Sequence, residues 1–159
     1  MAAFHRISIF LLILLSPFSM ARGATPPSAD QAFQLTVARD GAGLTLVWTI
    51  GPGSYLYRAM IAAKEAMPPE APIRVDSPPG IPKDDPDFGP QEIYRDKATA
   101  VIAGSELEGL KEIILTYQGC AEQFQICYPP VFKTIDLQIL KIRERADAAS
   151  SGSSTSLRY

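Results

Sequence analysis

The sequence predicts an all-β fold, an antiparallel β-sandwich, on three observations. Short segments alternate apolar and polar residues, turn-forming residues separate them, and no long stretch carries the apolar period of a helix. At 159 residues the chain has the length of one domain, enough to bury most of its unfolded surface in a single core.

The N-terminus reads as a secretory signal peptide over residues 1–21. His5 and Arg6 precede an apolar run from Ile7 to Phe18, and the small residues Ser19 and Ala21 follow, with cleavage expected after Ala21 or, as the alternative, Gly23. The run is shorter than the roughly 20 apolar residues of a membrane span. No other stretch is long and apolar enough, so the mature chain is expected to carry no membrane span and to occupy an oxidising compartment. Residues 22–30, rich in Ala, Pro and Ser, predict a flexible leader. The folded domain is expected over residues 31–142, and residues 143–159, which turn Ser/Gly/Thr-rich, predict a disordered tail.

Within the domain, Phe33, Leu35 and Val37 alternate with polar or small residues up to Asp40-Gly41. Leu44, Leu46, Trp48 and Ile50 alternate beyond it, which predicts a β-hairpin. Gly51, Pro52 and Gly53 break the second strand, and Tyr55 and Tyr57 follow on one face of a short extended segment. Those two tyrosines either cover a half-buried strand face or frame a site. Residues 61–68, with Ala, Lys and Glu, suggest a helical turn ended by Pro68-Pro69.

Prolines then recur as far as Pro90, which argues for loops and edge segments. In this stretch Phe88, between Asp87 and Gly89, must tuck into the core or cover something nearby. The acidic residues Asp84, Asp85 and Asp87 read as a solvated loop, since they lack the spacing of a calcium loop. Strands are expected from Glu92 to Asp96 and from Thr99 to Ala103. Ile113, Leu115 and Tyr117 then alternate into Cys120, and beyond Pro130 the residues Ile135, Leu137 and Ile139 share a face.

A net charge of −2, which becomes −3 once the signal peptide takes Arg6 with it, gives no electrostatic footprint for nucleic acid. The same cleavage removes His5, the only histidine. That excludes Ser-His-Asp and Cys-His nucleophiles and imidazole-based metal sites. Two cysteines are too few for a structural zinc site or an iron-sulfur cluster, and no Met cluster supports Cu(I) binding by Cys120, Cys127 and Met60 or Met67. No cofactor and no metal are expected.

The chemistry therefore rests on Cys120 and Cys127. A pair of cysteines in a secreted domain is most often an inert structural bridge. Three features favour exchange. Closing so short a loop stabilises a fold by only about 2.5 kcal/mol in the chain-entropy model. The pair is local, unlike the long-range staple between immunoglobulin sheets, so a bridge at a hairpin end would lie within a partner's reach. Nothing nearby in sequence would generate a reactive thiolate, and Glu122, if close, would oppose one by like-charge repulsion. These features fit a disulfide that a more reactive partner attacks.

The segments Tyr117-Gln118-Gly119-Cys120 and Cys127-Tyr128-Pro129-Pro130 carry a resemblance, together with Tyr55-Leu56-Tyr57-Arg58 and Glu92-Ile93-Tyr94-Arg95-Asp96. The chain resembles, over about residues 30–140, the N-terminal periplasmic domain of the thiol:disulfide interchange protein DsbD. The resemblance implies an immunoglobulin-like sandwich in the periplasm. It further implies a thiol-disulfide oxidoreductase of the protein-disulfide reductase type, relaying electrons without a cofactor. Its partners would be a thioredoxin-like domain, a membrane electron conductor, and periplasmic thiol proteins such as a disulfide isomerase or a thioredoxin of cytochrome c maturation.

By the same resemblance Cys127 forms the mixed disulfide and Cys120 resolves it. Phe88, in the loop Asp87-Phe88-Gly89, becomes a cap, and Tyr55 and Tyr57 line the pocket. The family pattern has five residues between the cysteines where this chain has six. Full-length relatives continue into a membrane conductor and a thioredoxin-like domain, so this chain is expected to be a stand-alone relative or a fragment. The competing expectation is a secreted immunoglobulin-like binding or chaperone module whose disulfide is purely structural.

Overall fold

The computed structural model describes residues 25–86 and 88–145. The expected signal peptide, residues 22–24 of the leader, Asp87 and residues 146–159 lie outside the described residues. Regular structure begins at Ser28, inside the stretch expected to be a loose leader. The Ser28 side chain accepts from the Gln31 N–H while the Gln31 side chain accepts from the Ser28 N–H, a capping box that starts the four-residue helix α1 (Ala29–Ala32). α1 delivers Phe33, 1% exposed, into the core.

The strands follow in order: β1 (Phe33–Asp40), β2 (Gly43–Ile50), β3 (Ser54–Tyr57), β4 (Ala62–Glu65), β5 (Pro72–Ile73), β6 (Ile81–Asp85), β7 (Gly89–Tyr94), β8 (Lys97–Ala103), β9 (Glu112–Tyr117), β10 (Gly119–Ala121), β11 (Ile126–Cys127), β12 (Val131–Asp136) and β13 (Lys141–Glu144). They form antiparallel sheets in the orders β1-β2-β8, β11-β10-β3-β7-β6 and β13-β12-β9-β4-β5. Two lengths of chain change sheet midway. The 3-10 turn Arg58–Met60 separates β3 from β4 and Gln118 separates β9 from β10, while β3 pairs with β10 as β4 pairs with β9. The second and third sheets are therefore continuous along two strands, and whatever fixes β9 in the core also fixes β10, which carries Cys120.

The predicted hairpin is β1–β2, closed where Asp40 Oδ1 accepts from the N–H groups of Ala42 and Gly43. Leu44, Leu46, Trp48 and Ile50 are buried on β2, which lies between β1 and β8. Trp48 meets Tyr117 edge to face at 5.6 Å between ring centroids, and Phe33 makes the same kind of contact with Tyr128 at 5.5 Å. The first ring pair joins β2 to β9; the second joins β1 to the residue after Cys127. The core thus grips both ends of the cysteine hairpin.

Three elements depart from expectation. The Ala/Lys/Glu stretch forms β4, not a helical turn, because β9 pairs with it on one side and β5 on the other. β12 stops at Asp136, whose Oδ1 accepts from the N–H groups of Gln138 and Ile139; the chain turns there and Ile139 is left exposed. Arg143 and Glu144, assigned by composition to the tail, are the last residues of β13. They stay because Arg143 pairs with Glu112, and buried Lys133 pairs with both Glu144 and Asp30 of α1. Lys133 thereby ties both ends of the described chain to β12.

Leu115 is wholly buried at the centre of the third sheet. Leu115→Ala should destabilise the fold by about 3 kcal/mol, read as a lower urea midpoint at unchanged slope.

Candidate functional site

Cys120 and Cys127 face each other directly across β10 and β11 and are joined by a disulfide, with their Cα atoms 4.0 Å apart. So close an approach is that of a non-hydrogen-bonded antiparallel pair, and the next pair, Gly119 and Tyr128, supplies the flanking bond from Tyr128 N–H to Gly119 C=O at 3.0 Å. The N–H and C=O of Cys127 consequently point away from β10, toward the open side of β11, the last strand of its sheet. Six intervening residues still give this register. The turn after Ala121 is one 3-10 turn, Glu122–Phe124, closed by Gln125 in the left-handed conformation at φ 54°. On the other side β10 lies hard against β3, where a Cβ at Gly119 would meet the Tyr55 carbonyl oxygen at 2.2 Å.

The two sulfurs occupy different surroundings. Cys120 is 2% exposed, whereas Cys127 is exposed on the edge strand. The Tyr57 hydroxyl lies 3.3 Å from Cys120 Sγ. That hydroxyl donates to Asp85 Oδ2 at 2.6 Å, and the Tyr55 hydroxyl donates to the same oxygen at 3.2 Å. Asp85 Oδ1 accepts from the Phe88 N–H at 3.2 Å. The Phe88 ring, 44% exposed, stands edge-on to Tyr57 at 5.4 Å. Phe88 therefore lies over the tyrosine that touches Cys120 and not in the core.

Asp85 is the site residue that pattern reading misses. The sequence groups it with Asp84 and Asp87 as a solvated loop, yet it is 6% exposed and accepts from both tyrosines. β6 pairs with β7 so that Asp85 faces Gly89, while Tyr57 of β3 faces Ile93, four positions along β7. The end of the β6–β7 hairpin must lean over the sheet to bring that carboxylate to the tyrosines. The nearest sequence signal is an acidic residue in a Pro-bounded loop downstream of two tyrosines spaced by two.

Glu122 also differs from expectation. Its carboxylate binds Lys83 Nζ at 2.9 Å and Arg95 Nη2 at 2.7 Å, and those hydrogen bonds hold its pKa below the ordinary range. It presents no free negative charge to the sulfurs. Burial raises the Tyr57 hydroxyl far above its ordinary pKa, helped by its bond to Asp85; burial likewise raises Tyr55, Tyr117 and Tyr128. Among the described residues no cluster of His, Cys, Asp and Glu could hold a metal ion, and no helix is long and apolar enough to cross a membrane.

Residues 24–139 match the family model for the N-terminal region of the thiol:disulfide interchange protein DsbD. The DsbD of Cronobacter sakazakii is 35% identical over 159 residues, covering 95% of this chain and 27% of that protein. The DsbD of Escherichia coli is 38% identical over 140 residues, covering 84% of this chain and 24% of that protein. The chain thus spans about a quarter of the length of these curated relatives. Among solved structures, the reduced DsbD N-terminal domain of Neisseria meningitidis superposes with a TM-score of 0.62 at 28% identity, covering 74% of this chain and 94% of the other. The complex of the DsbD and PilB N-terminal domains from the same organism gives 0.59 at 29% identity, covering 70% and 87%. These neighbours share the immunoglobulin-like sandwich.

The raised tyrosine pKa values predict that Tyr55, Tyr57, Tyr117 and Tyr128 stay protonated in the folded protein at pH values where unfolded tyrosines, near pKa 10, ionise. The unfolded chain then binds fewer protons than the native one, so stability is intact below about pH 10 and falls as pH rises above it. Ultraviolet titration of tyrosinate in native and urea-unfolded protein, with unfolding midpoints at pH 8 and pH 11, checks both parts.

Proposed function

Because the chain belongs to the family of DsbD N-terminal domains, we propose that it is a thiol-disulfide interchange domain, a reductant relay that cycles between a Cys120–Cys127 disulfide and a dithiol. The supporting observation is the asymmetry of the bond: Cys127 is exposed on an edge strand with its backbone groups turned outward, and Cys120 is buried against Tyr57. A thiolate from a thioredoxin-like donor attacks Cys127 Sγ, forming a mixed disulfide while the electron pair of the old bond passes to Cys120. The departing sulfur stays beside the Tyr57 hydroxyl. A second thiolate of the donor then attacks the donor's own sulfur in the mixed disulfide, leaving the donor oxidised and this domain a dithiol.

Delivery runs the other way. Cys127 attacks an acceptor disulfide, and Cys120 displaces the acceptor by re-forming the bond to Cys127, so two electrons leave with the acceptor. The open side of β11 lets an extended partner segment lie along Cys127 while its sulfur is attacked. The expected partners are a membrane electron conductor with a thioredoxin-like domain on the donor side, and periplasmic thiol proteins on the acceptor side. No cofactor takes part. The expected location is the periplasm, reached by the signal peptide.

In this scheme Phe88, with its neighbour Asp87, caps the pair, and Tyr55 and Tyr57 form the wall beneath. Phe88→Ala should speed oxidation of the reduced pair by a small uncharged disulfide severalfold, followed by thiol quenching; an unchanged rate removes the cap role. Cys120→Ser should accumulate a mixed disulfide through Cys127 when mixed with a thioredoxin-like protein whose second cysteine is replaced by serine and whose first is activated as a disulfide with a small aromatic thiol, which departs; the adduct is seen on non-reducing gels. Cys127→Ser should accumulate none, and the absence of any adduct from Cys120→Ser refutes the assigned roles.

A further inference from the structure

The β6–β7 hairpin that carries Phe88 is attached to the cysteine region at two places. One is Asp85, already described. The other lies on the outside and does not touch a sulfur: Glu122, in the turn between the two cysteines, holds Lys83 of β6 with one carboxylate oxygen and Arg95, just past β7, with the other. Lys83 Nζ is 5.0 Å from the centre of the Tyr55 ring and the Arg95 guanidinium carbon 5.4 Å, so two cations share one aromatic ring with a carboxylate between them. Neither cation could remain there easily alone with the other, since they repel.

The Glu122 N–H also donates to the Gly53 carbonyl at 2.7 Å, and its own carbonyl accepts from Gln125 N–H, so the residue is fixed in its turn. From this geometry we infer that the Lys83–Glu122–Arg95 cluster is an electrostatic latch, with Glu122 a positioning residue that holds the cap hairpin closed against the cysteine turn. Its strength depends on ionic strength, because the three side chains are partly solvated: Lys83 is 20% exposed, Arg95 35% and Glu122 47%. Asp85 keeps the cap in register, and the latch sets how often it opens. The inference rests on the cap role of Phe88 and deepens the relay proposal.

The test measures reduction of the Cys120–Cys127 disulfide by tris(3-hydroxypropyl)phosphine, a small uncharged reductant whose phosphorus attacks a sulfur and ends as the phosphine oxide, across a range of sodium chloride concentrations. In the unaltered protein the rate should rise with salt as the latch is screened. Glu122→Gln should raise the low-salt rate roughly threefold, the effect of losing an exposed ion pair, and should flatten the salt dependence. Lys83→Gln should act similarly, and the double variant should add little to either alone. A Glu122→Gln protein with unaltered rate and salt slope overturns the latch, as does full additivity of the two substitutions. Glu122→Asp should recover part of the salt slope, which a generally loosened turn would not. Because the reductant is a small molecule, failure here is separable from failure of the relay, which is judged by mixed-disulfide trapping through Cys127.

Discussion

A carboxylate that leaves water must find hydrogen bonds to replace those it had, or it costs several kcal/mol. Asp85 meets this requirement with donors from two separate parts of the chain: the hydroxyls of Tyr55 and Tyr57 on β3, and the N–H of Phe88 beyond the end of β6. The consequences run in both directions. The tyrosines are held with their hydroxyls converging, one of them against Cys120, and the loop bearing Phe88 is held over them. A hairpin whose end leaned elsewhere would take away the carboxylate to which both buried hydroxyls donate. The two tyrosines, Asp85 and the Phe88 backbone are therefore one hydrogen-bonded unit, and Cys120 lies against its Tyr57.

That unit stands on a scaffold whose regular parts were largely legible from the sequence. Alternation of Leu44, Leu46, Trp48 and Ile50 marks a strand with one buried face, and the Asp40-Gly41 step marks its hairpin, because both signals arise from local geometry. The alternation through Ile113, Leu115 and Tyr117 located β9 for the same reason. Legibility ended where neighbours decide. Ala62–Glu65 has helix-forming composition, but strands on both sides supply pairing that propensity cannot outweigh. Ile139 continued an alternation that Asp136 had already terminated by accepting from two backbone N–H groups. Arg143 and Glu144 looked like tail because their partners, Glu112 and Lys133, lie on other strands.

The site divides in the same way. The cysteines, both tyrosines and Phe88 can be named from the sequence, and their individual roles come only by family resemblance. The structure brings Tyr55, Tyr57 and Phe88 together with Cys120, while Asp87 is outside the described residues. Asp85 escaped notice because three acidic residues in a Pro-rich loop look alike until the fold buries one of them. The pairing of Glu122 is hidden for a related reason: its charge is visible in sequence, and the two cations that neutralise it are 39 and 27 residues away.

The extra residue between the cysteines bears on how a single bond can have two unlike ends. Six residues are more than a tight hairpin requires, and the chain absorbs them in a 3-10 turn closed by Gln125 at positive φ. The result places Cys120 and Cys127 directly opposite each other, yet on strands of different status: β10 has neighbours on both sides, and β11 has one. Between β3 and β11, Cys120 is buried against Tyr57, while the edge position leaves Cys127 uncovered. In the proposed relay, a nucleophile arriving from solvent meets Cys127 and displaces Cys120, which remains sheltered and close enough to return. On that proposal the order of the exchange steps follows from sheet order.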